Sequence, residues 1–243
     1  MEHLTPAQRL IVAADYKPSA KGDYKEVLSK VIALARVLSK TGVTIKVNSI
    51  LRACGFDVIE DIRGFGLPVF ADLKLSDISA TLAIDGELLQ RSRPEFVTVM
   101  CGAGVEAMKS LKAGLPETEV LGVTILTSLT EEECFDLYGC SVKQAVDRHV
   151  QWAQTAGIDG LVMAPAEARS MRDRGITMSI NSPAIRPSWT IVPGCDQNPD
   201  RIMTPAKALE AGVDRVIIGR PIINDPNPYD AVMRTLDEIA SVK

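Results

Sequence analysis

The feature that most constrains the fold of this 243-residue chain is a regular alternation of short apolar runs with longer amphipathic segments. Segments such as 24–40 and 141–157 repeat apolar residues at three and four positions, which is typical of a helix packed on one face. Strand then helix, repeated eight times, predicts a parallel sheet with right-handed crossovers. The apolar runs predict strands at 10–15, 43–47, 68–74, 95–100, 120–126, 160–164, 190–194 and 215–219.

Eight such units in 243 residues predict a (β/α)8 TIM barrel, since this fold usually takes about 250 residues. A doubly wound open sheet is the alternative. The chain contains no linker, low-complexity run or shift in composition, so we expect one barrel domain over residues 1–243. The seventh unit is the least regular, because prolines interrupt its helical period.

Composition narrows the class of protein. A hydrophobic fraction of 46% with 24% charged residues is ordinary for a globular protein, and a net charge of −4 without basic clustering argues against nucleic-acid binding. The N-terminal residues lack the apolar core of a signal peptide, and no uncharged stretch approaches the ~18 residues of a membrane helix. We therefore expect a cytoplasmic protein with neither a membrane nor a nucleic-acid partner.

Cysteine and histidine usage argues against several kinds of site. The five cysteines are scattered without a C-x-x-C motif, which favours reduced thiols over a zinc site or a disulfide framework. The two histidines are His3 and His149, and we expect His149 to face solvent from a helix. So few histidines argue against a Ser-His-Asp triad or a His-rich metal site. The cysteines are Cys54, Cys101, Cys134, Cys140 and Cys195.

Charged residues interrupt the third predicted strand. Because side chains alternate along a strand, Asp72 and Lys74 point to the same face near its C-terminal end, where barrels build active sites. Lys46 falls late in the second strand, Asp15 closes the first, and Asp77 follows the third. Convergence on one rim would hold these groups charged and prepare them for proton transfer.

Each of these residues also has a purely structural interpretation. Asp77 is a possible helix N-cap, Asp15 a turn cap, and Lys46 an outward-reaching side chain. Asp72 and Lys74 could form a structural ion pair, although buried pairs contribute little net stability. Convergence of all these groups favours a catalytic array over separate structural roles.

A phosphate site is predicted at the loops after strands seven and eight, where barrels often bind phosphate. Gly219 allows close approach of an anion to the backbone, Arg220 offers a planar cation, and Gln197 is a donor from the neighbouring loop. Arg220 alone is equally compatible with a surface role. The run 101–107 matches a dinucleotide-binding glycine pattern, but it belongs to the fourth repeated unit, so we do not assign it a cofactor.

Taken together, these motifs resemble the orotidine 5′-phosphate decarboxylase family. Its hallmark after strand three is D-x-K-x-x-D-I-x-x-T, which the chain meets at Asp72, Lys74, Asp77, Ile78 and Thr81. The resemblance spans nearly the whole chain. Further similar segments are 13–15, 45–48, 123–130, 196–205 and 216–222.

The resemblance implies a homodimeric barrel that converts orotidine 5′-phosphate to UMP and CO2 in de novo pyrimidine biosynthesis, without metal or organic cofactor. It implies a catalytic array in which Asp77 enters the partner's site, and a ribose contact from Thr81 that also crosses the interface. The implied array is Lys46, Asp72, Lys74 and Asp77. The implied substrate contacts are Asp15 and Thr81 for the ribose, Ser128 or Thr130 for the pyrimidine, Gln197 and Arg220 for the phosphate, with Ile78, Pro193 and Gly219 beside them.

Three departures from the family pattern stand out. The stretch from Pro193 to Gln197 is very short, whereas the family often has a longer phosphate-binding loop there. Met100 occupies a position where many members have histidine, and the Ile-Arg-Pro run at 185–187 precedes Pro193, the proline of the predicted seventh strand. Two rival functions also remain. Related magnesium-dependent sugar-phosphate enzymes typically carry an acid late in strand two, where this chain has Lys46, whose charge would repel the metal. A catalytically silent nucleotide-binding barrel is the other rival, and it has no need of the charged array.

Overall fold

The structure is a computed structural model that describes residues 4–19, 22–191 and 203–242. Eight parallel strands pair in sequence order and close into a barrel, which confirms the predicted (β/α)8 fold. The strands are β1 (Leu10–Ala13), β2 (Thr44–Val47), β3 (Val69–Leu75), β4 (Phe96–Met100), β5 (Glu119–Val123), β6 (Gly160–Val162), β7 (Ser179–Ser182) and β8 (Arg215–Ile218).

Helices surround the barrel and connect its strands. Short 3₁₀ turns at Cys101–Ala103 and Ser188–Thr190 follow β4 and β7. The helices are α1 (Pro6–Arg9), α2 (Tyr24–Leu38), α3 (Ser49–Cys54), α4 (Asp57–Arg63), α5 (Ser79–Gln90), α6 (Val105–Gly114), α7 (Glu131–Tyr138), α8 (Val142–Ala156), α9 (Pro165–Asp173), α10 (Pro205–Glu210), α11 (Arg220–Ile223) and α12 (Pro228–Ala240).

The prediction that strand seven spans 190–194 is wrong. Strand β7 is Ser179–Ser182, and Thr190 lies in a 3₁₀ turn further along the chain. The strand was missed because only Ile180 in it is apolar, whereas Asn181 faces the barrel interior and accepts a hydrogen bond from the Arg215 guanidinium at 3.4 Å. An apolar run cannot reveal a strand whose inward residue serves a polar network.

Alternate residues of each strand divide between two cores. Odd-numbered residues of β3, such as Val69, Ala71 and Leu73, pack outward against the helices, and Phe70 packs inward. The inner core fills the barrel, as the fold requires. It consists of Ile11, Ala13, Phe70, Phe96, Leu121, Val123, Val162 and Ile217, with Met100 beside them.

Helices α5 and α6 approach closely because both carry glycine at their crossing. A Cβ atom on Gly86 would lie 3.1 Å from the Cα of Gly114 and 2.9 Å from the carbonyl oxygen of Leu111. A side chain there would push the helices apart. This close contact fixes α5, the helix that begins just after Asp77.

His149 differs from its prediction. Its side chain is buried, its Nδ1 lies 2.8 Å from the Thr124 carbonyl oxygen, and its ring packs edge-on against Tyr138. The expectation that it faces solvent is wrong, because α8 turns this position toward β5. No helix in the described part of the chain is long and apolar enough to cross a membrane.

Candidate active site

A cavity of about 630 Å³ opens at the C-terminal ends of the strands, where barrel active sites lie. Charged groups form one side of its floor and apolar residues such as Phe70, Val162 and Ile217 form the rest. We call it the barrel-mouth cavity. The predicted site residues that line it are Asp15, Lys46, Asp72, Lys74, Gly219 and Arg220.

Lys46 lies between two carboxylates at the cavity floor. Its Nζ is 2.9 Å from Oδ2 of Asp15 and 3.0 Å from Oδ2 of Asp72. It points inward because β2 alternates Lys46 with Ile45 and Val47, both of which pack outward. The side chain is buried, so the alternative that it reaches outward to solvent is wrong.

Asp72 connects Lys46 to Lys74. The Nζ of Lys74 is 2.7 Å from both carboxylate oxygens of Asp72. Four charges therefore alternate in sign along one path, from Asp15 through Lys46 and Asp72 to Lys74. Lys74 ends this path and is the more exposed of the two ammonium groups that face the cavity.

Each buried charge is held by its neighbours. Burial acts to lower the pKa of Lys46, but the charges of Asp72 and Asp15 outweigh it and raise that pKa. Burial acts to raise the pKa of Asp72, but the charges of Lys46 and Lys74 outweigh it and lower that pKa. Both groups therefore stay ionised at neutral pH, and each buried charge has a neighbour of opposite charge.

The backbone of β3 is irregular where it carries these charges. Between the pairs Ala71↔Val97 and Leu75↔Val99, β3 advances four residues while β4 advances two. Lys74 adopts φ +50°, a left-handed conformation that is uncommon outside glycine. Bulges near active sites re-aim side chains, and this one turns Lys74 back over Asp72.

Three residues of the hallmark motif lie outside the cavity of their own chain. Asp77 and Ile78 are exposed on the rim, Thr81 is half-buried on α5, and all three are absent from the cavity lining. The N-cap position of α5 is Ile78, so Asp77 is not the N-cap, although its carboxylate accepts the Ile78 backbone N–H at 2.7 Å. Within the described residues Asp77 has no cationic partner at ion-pair distance.

The loop after β7 contributes a wall that the sequence prediction missed. Pro183, Ala184 and Arg186 line the cavity opposite the charged floor, and Ala184 has φ +63°. Because β7 ends at Ser182, the Ile-Arg-Pro run at 185–187 follows strand seven, whereas the predicted strand at 190–194 placed this run ahead of it. Pro193 and Gln197 lie outside the described residues.

The loop after β5 differs in detail from the prediction. Thr127 lines the cavity, whereas Ser128 is exposed and does not. Thr130 caps α7 and forms a reciprocal capping box with Glu133. Thr127 was missed because the loop holds three hydroxyl residues within four positions, and the sequence gives no cue to their directions.

Two more polar residues near the floor were also missed. Asn48 lines the cavity after β2, and the hydroxyl of Thr98 donates to Oδ1 of Asp72 at 3.0 Å. Thr98 occupies the inward position between Phe96 and Met100 on β4. Period-two alternation reveals its direction, but nothing in the sequence reveals its partner.

The sequence of the chain is similar to those of known proteins. The family model for "Orotidine 5'-phosphate decarboxylase / HUMPS family" matches residues 8–235. A curated orotidine 5′-phosphate decarboxylase from Afipia carboxidovorans is 35% identical, covering 97% of this chain and 96% of the relative. That of Heliobacterium modesticaldum is 36% identical, covering 77% of this chain and 81% of the relative.

A solved structure gives the same result. The crystal structure of orotidine 5′-phosphate decarboxylase from Lactobacillus acidophilus superposes on this chain with a TM-score of 0.79 at 26% sequence identity. The superposition covers 96% of this chain and 100% of that structure. The family match at residues 8–235 includes all eight strands. The chain therefore belongs to the orotidine 5′-phosphate decarboxylase / HUMPS family.

Proposed function

We propose that this protein decarboxylates orotidine 5′-phosphate to UMP and CO2, as a step of de novo pyrimidine biosynthesis. The observation that carries the proposal is the path of alternating charges from Asp15 to Lys74 on the floor of a cavity large enough for a nucleotide. The family membership supports the same reaction, since the curated relatives carry that enzyme's name.

The proposed chemistry is cleavage of the bond between C6 of the pyrimidine and its carboxylate. CO2 departs without the bonding electron pair, which stays on C6 as a carbanion. The Lys74 ammonium stabilises this charge and donates its proton to C6, because a fixed cation in a partly dry site acts strongly on developing charge. Lys74 then regains a proton from solvent.

Asp72 and Lys46 act on this step through charge. The Asp72 carboxylate lies beside the departing carboxylate and disfavours the bound substrate relative to the transition state. Lys46 keeps Asp72 ionised, and Asp72 in turn keeps the Lys74 ammonium directed into the cavity. The charge or the direction of each of these side chains therefore depends on its neighbour in the path.

The remaining groups bind the nucleotide. Arg220, the Gly219 backbone and Arg186 provide cationic and close-approach contacts for the phosphate at the far wall, and Gln197 stays a proposed contact there. Asp15 is assigned to the ribose. Thr127 is the hydroxyl of its loop best directed toward the pyrimidine, with Ser128 or Thr130 requiring movement of the loop.

We propose that the active unit is a homodimer in which Asp77 and Thr81 complete the partner's site. Neither lines the cavity of its own chain. Ile84 and Leu88 are exposed by 57% and 60%, and they share one face of α5 with Thr81 at helical spacing. A second copy that covers this apolar face would bring Asp77 beside the partner's lysines, with Ile78 as a further substrate contact.

The charged floor does not fit a divalent cation. A metal ligand set needs free carboxylate oxygens, whereas the Lys46 ammonium already lies within 3.2 Å of three oxygens of Asp15 and Asp72. This arrangement supports a reaction without a metal ion, and the resemblance to the family is the basis for proposing that no organic cofactor takes part. It also argues against the magnesium-dependent members of the same superfamily as models for this enzyme.

A cytoplasmic location is part of the proposal. Its support is that Cys54, Cys101, Cys134 and Cys140 are all free thiols in the described part of the chain.

The decisive test is an absorbance assay with orotidine 5′-phosphate, run with and without EDTA. We expect loss of the orotidine chromophore at an equal rate in both. Activity that EDTA abolishes would favour the metal-dependent relatives, and binding of UMP without any turnover would favour the silent nucleotide-binding barrel.

A further inference from the structure

The peptide unit between Leu73 and Lys74 is held by side chains on both sides. Its N–H, on Lys74, donates to Oγ1 of Thr98 at 2.9 Å, and its carbonyl, on Leu73, accepts from Nη2 of Arg52 at 2.9 Å. In a regular parallel strand both groups would bond to neighbouring strands. Here the bulge removes them from the ladder, and two side chains take over.

Thr98 is fully buried and its hydroxyl has a defined direction. A hydroxyl has a single proton, and this one is donated to Oδ1 of Asp72 at 3.0 Å, so that its lone pairs accept the Lys74 N–H. One atom therefore contacts both the carboxylate of the array and the backbone of its terminal lysine.

Arg52 acts from the opposite side. It lies on α3, and its Nη1 donates to Oδ1 of Asn48, which lines the cavity, at 2.9 Å. Its guanidinium thus joins the end of β2 to the Leu73 carbonyl. A planar guanidinium suits this bridge because its donors diverge in a fixed geometry.

Left-handed backbone at a residue other than glycine persists only where the surroundings enforce it. We propose that Thr98 is a positioning residue that holds Lys74 in its left-handed conformation and orients the Asp72 carboxylate, with Arg52 securing the same peptide from outside. The inference rests on the proposed role of Lys74. In this proposal Thr98 affects the reaction rate through Lys74 and Asp72 without contacting the substrate.

The test compares Thr98→Val, which keeps the shape and removes the hydroxyl, with Thr98→Ser, which keeps the hydroxyl. We expect Thr98→Val to lower kcat by about 100-fold, the scale of a 1 Å misplacement, while KM changes by less than about threefold. Thr98→Ser should retain kcat within about fivefold. Thr235→Val, at another fully buried threonine whose hydroxyl donates to Ala231, is the matched control and should leave kcat unchanged.

A second readout separates positioning from loss of fold. Loss of the Thr98 donor removes a bond that favours the charged Asp72, so the acid limb of the kcat profile should move to higher pH in Thr98→Val and not in Thr98→Ser. Arg52→Met, at an exposed side chain, should also lower kcat at unchanged KM. Wild-type kcat in both Thr98→Val and Arg52→Met, or equal losses in Thr98→Val and Thr98→Ser, would overturn the proposal.

The crystal structure of Thr98→Val provides a test independent of activity. We expect Lys74 to leave the left-handed region, and a retained φ near its present value would overturn the positioning role. Wild-type enzyme assayed in the same series reports on the proposed function itself. Absence of turnover there would overturn the proposed function, while the variant structure would still decide the role of Thr98.

Discussion

Lys46 and Asp72 form a 3.0 Å ion pair whose side chains are only 7% and 8% exposed. Removal of one partner from such a pair leaves a buried charge with fewer compensating contacts. Lys46→Met should therefore lower the free energy of unfolding by about 3 kcal/mol. Chemical denaturation at a fixed protein concentration measures this change.

The matched control is Lys30→Met, which removes the exposed ion pair with Glu26 on α2. Such surface pairs contribute about 0.5 kcal/mol or less. A cost for Lys46→Met no larger than that of Lys30→Met would contradict the account of a buried array held by mutual charge.

His149 should make stability depend on pH near neutrality. Burial lowers its pKa below the ordinary value of 6.5, the Thr124 carbonyl partly offsets this, and the charge of Arg148 lowers it further. The neutral ring therefore contributes stability that is fully present above pH 6.5 and is lost as pH falls through the lowered pKa. We expect the contribution of His149 to the free energy of unfolding to decrease between pH 7.5 and 5.

Comparison with His149→Phe isolates this contribution, since Phe keeps an aromatic ring beside Tyr138 but does not titrate. Subtraction of the two profiles is needed because burial raises the pKa of Glu167 to about 7, and that carboxyl titrates in the same window with the opposite sign. Parallel pH profiles of wild type and variant would show that His149 does not contribute to the pH dependence of the free energy of unfolding.

Shared sites predict complementation between two inactive variants. In a hybrid dimer of Lys74→Ala and Asp77→Ala chains, one site loses both residues and the other keeps both. Random exchange of subunits should therefore restore about one quarter of wild-type activity. Each variant alone is the control, and mixtures that stay inactive after verified exchange would show that Asp77 does not cross the interface.

The apolar face of α5 predicts where the dimer forms. Leu88→Glu should shift the protein toward monomer and reduce activity, because the partner's Asp77 is then lost. Phe135→Glu is the matched control, since Phe135 is 61% exposed on α7 against 60% for Leu88. Sedimentation equilibrium measures both, and a Leu88→Glu dimer as tight as wild type would assign the interface elsewhere.

Periodicity predicted the barrel because seven of the eight strands are apolar enough to be recognised along the chain. Strand β7 was not predicted because its Asn181 belongs to a polar network with Arg215 and because prolines follow it. The direction of Asp72 and Lys46 also followed from alternation alone. Their partners follow from parallel pairing, which brings the ends of β1, β2 and β3 to one rim.

Other parts of the site depend on contacts that no local pattern contains. The bulge in β3 and the left-handed Lys74 arise from the pairing of that strand with β4, through the hydroxyl of Thr98. Arg186 was noticed as part of a motif but assigned to the wrong side of strand seven. The bulge reflects a contact between two strands, whereas the misplacement of Arg186 follows from the lack of an apolar run in β7.

The role proposed for Lys74 is proton transfer rather than support of the fold, and Lys74→Ala distinguishes the two. Lys112→Ala is the matched control, because Lys112 is 25% exposed against 29% for Lys74 and each forms a 2.7 Å ion pair with an aspartate. We expect Lys74→Ala to lower kcat by at least about 1,000-fold while UMP affinity changes by less than about tenfold, with Lys112→Ala near wild type on both measures. Turnover by Lys74→Ala close to that of Lys112→Ala would show that Lys74 does not transfer the proton.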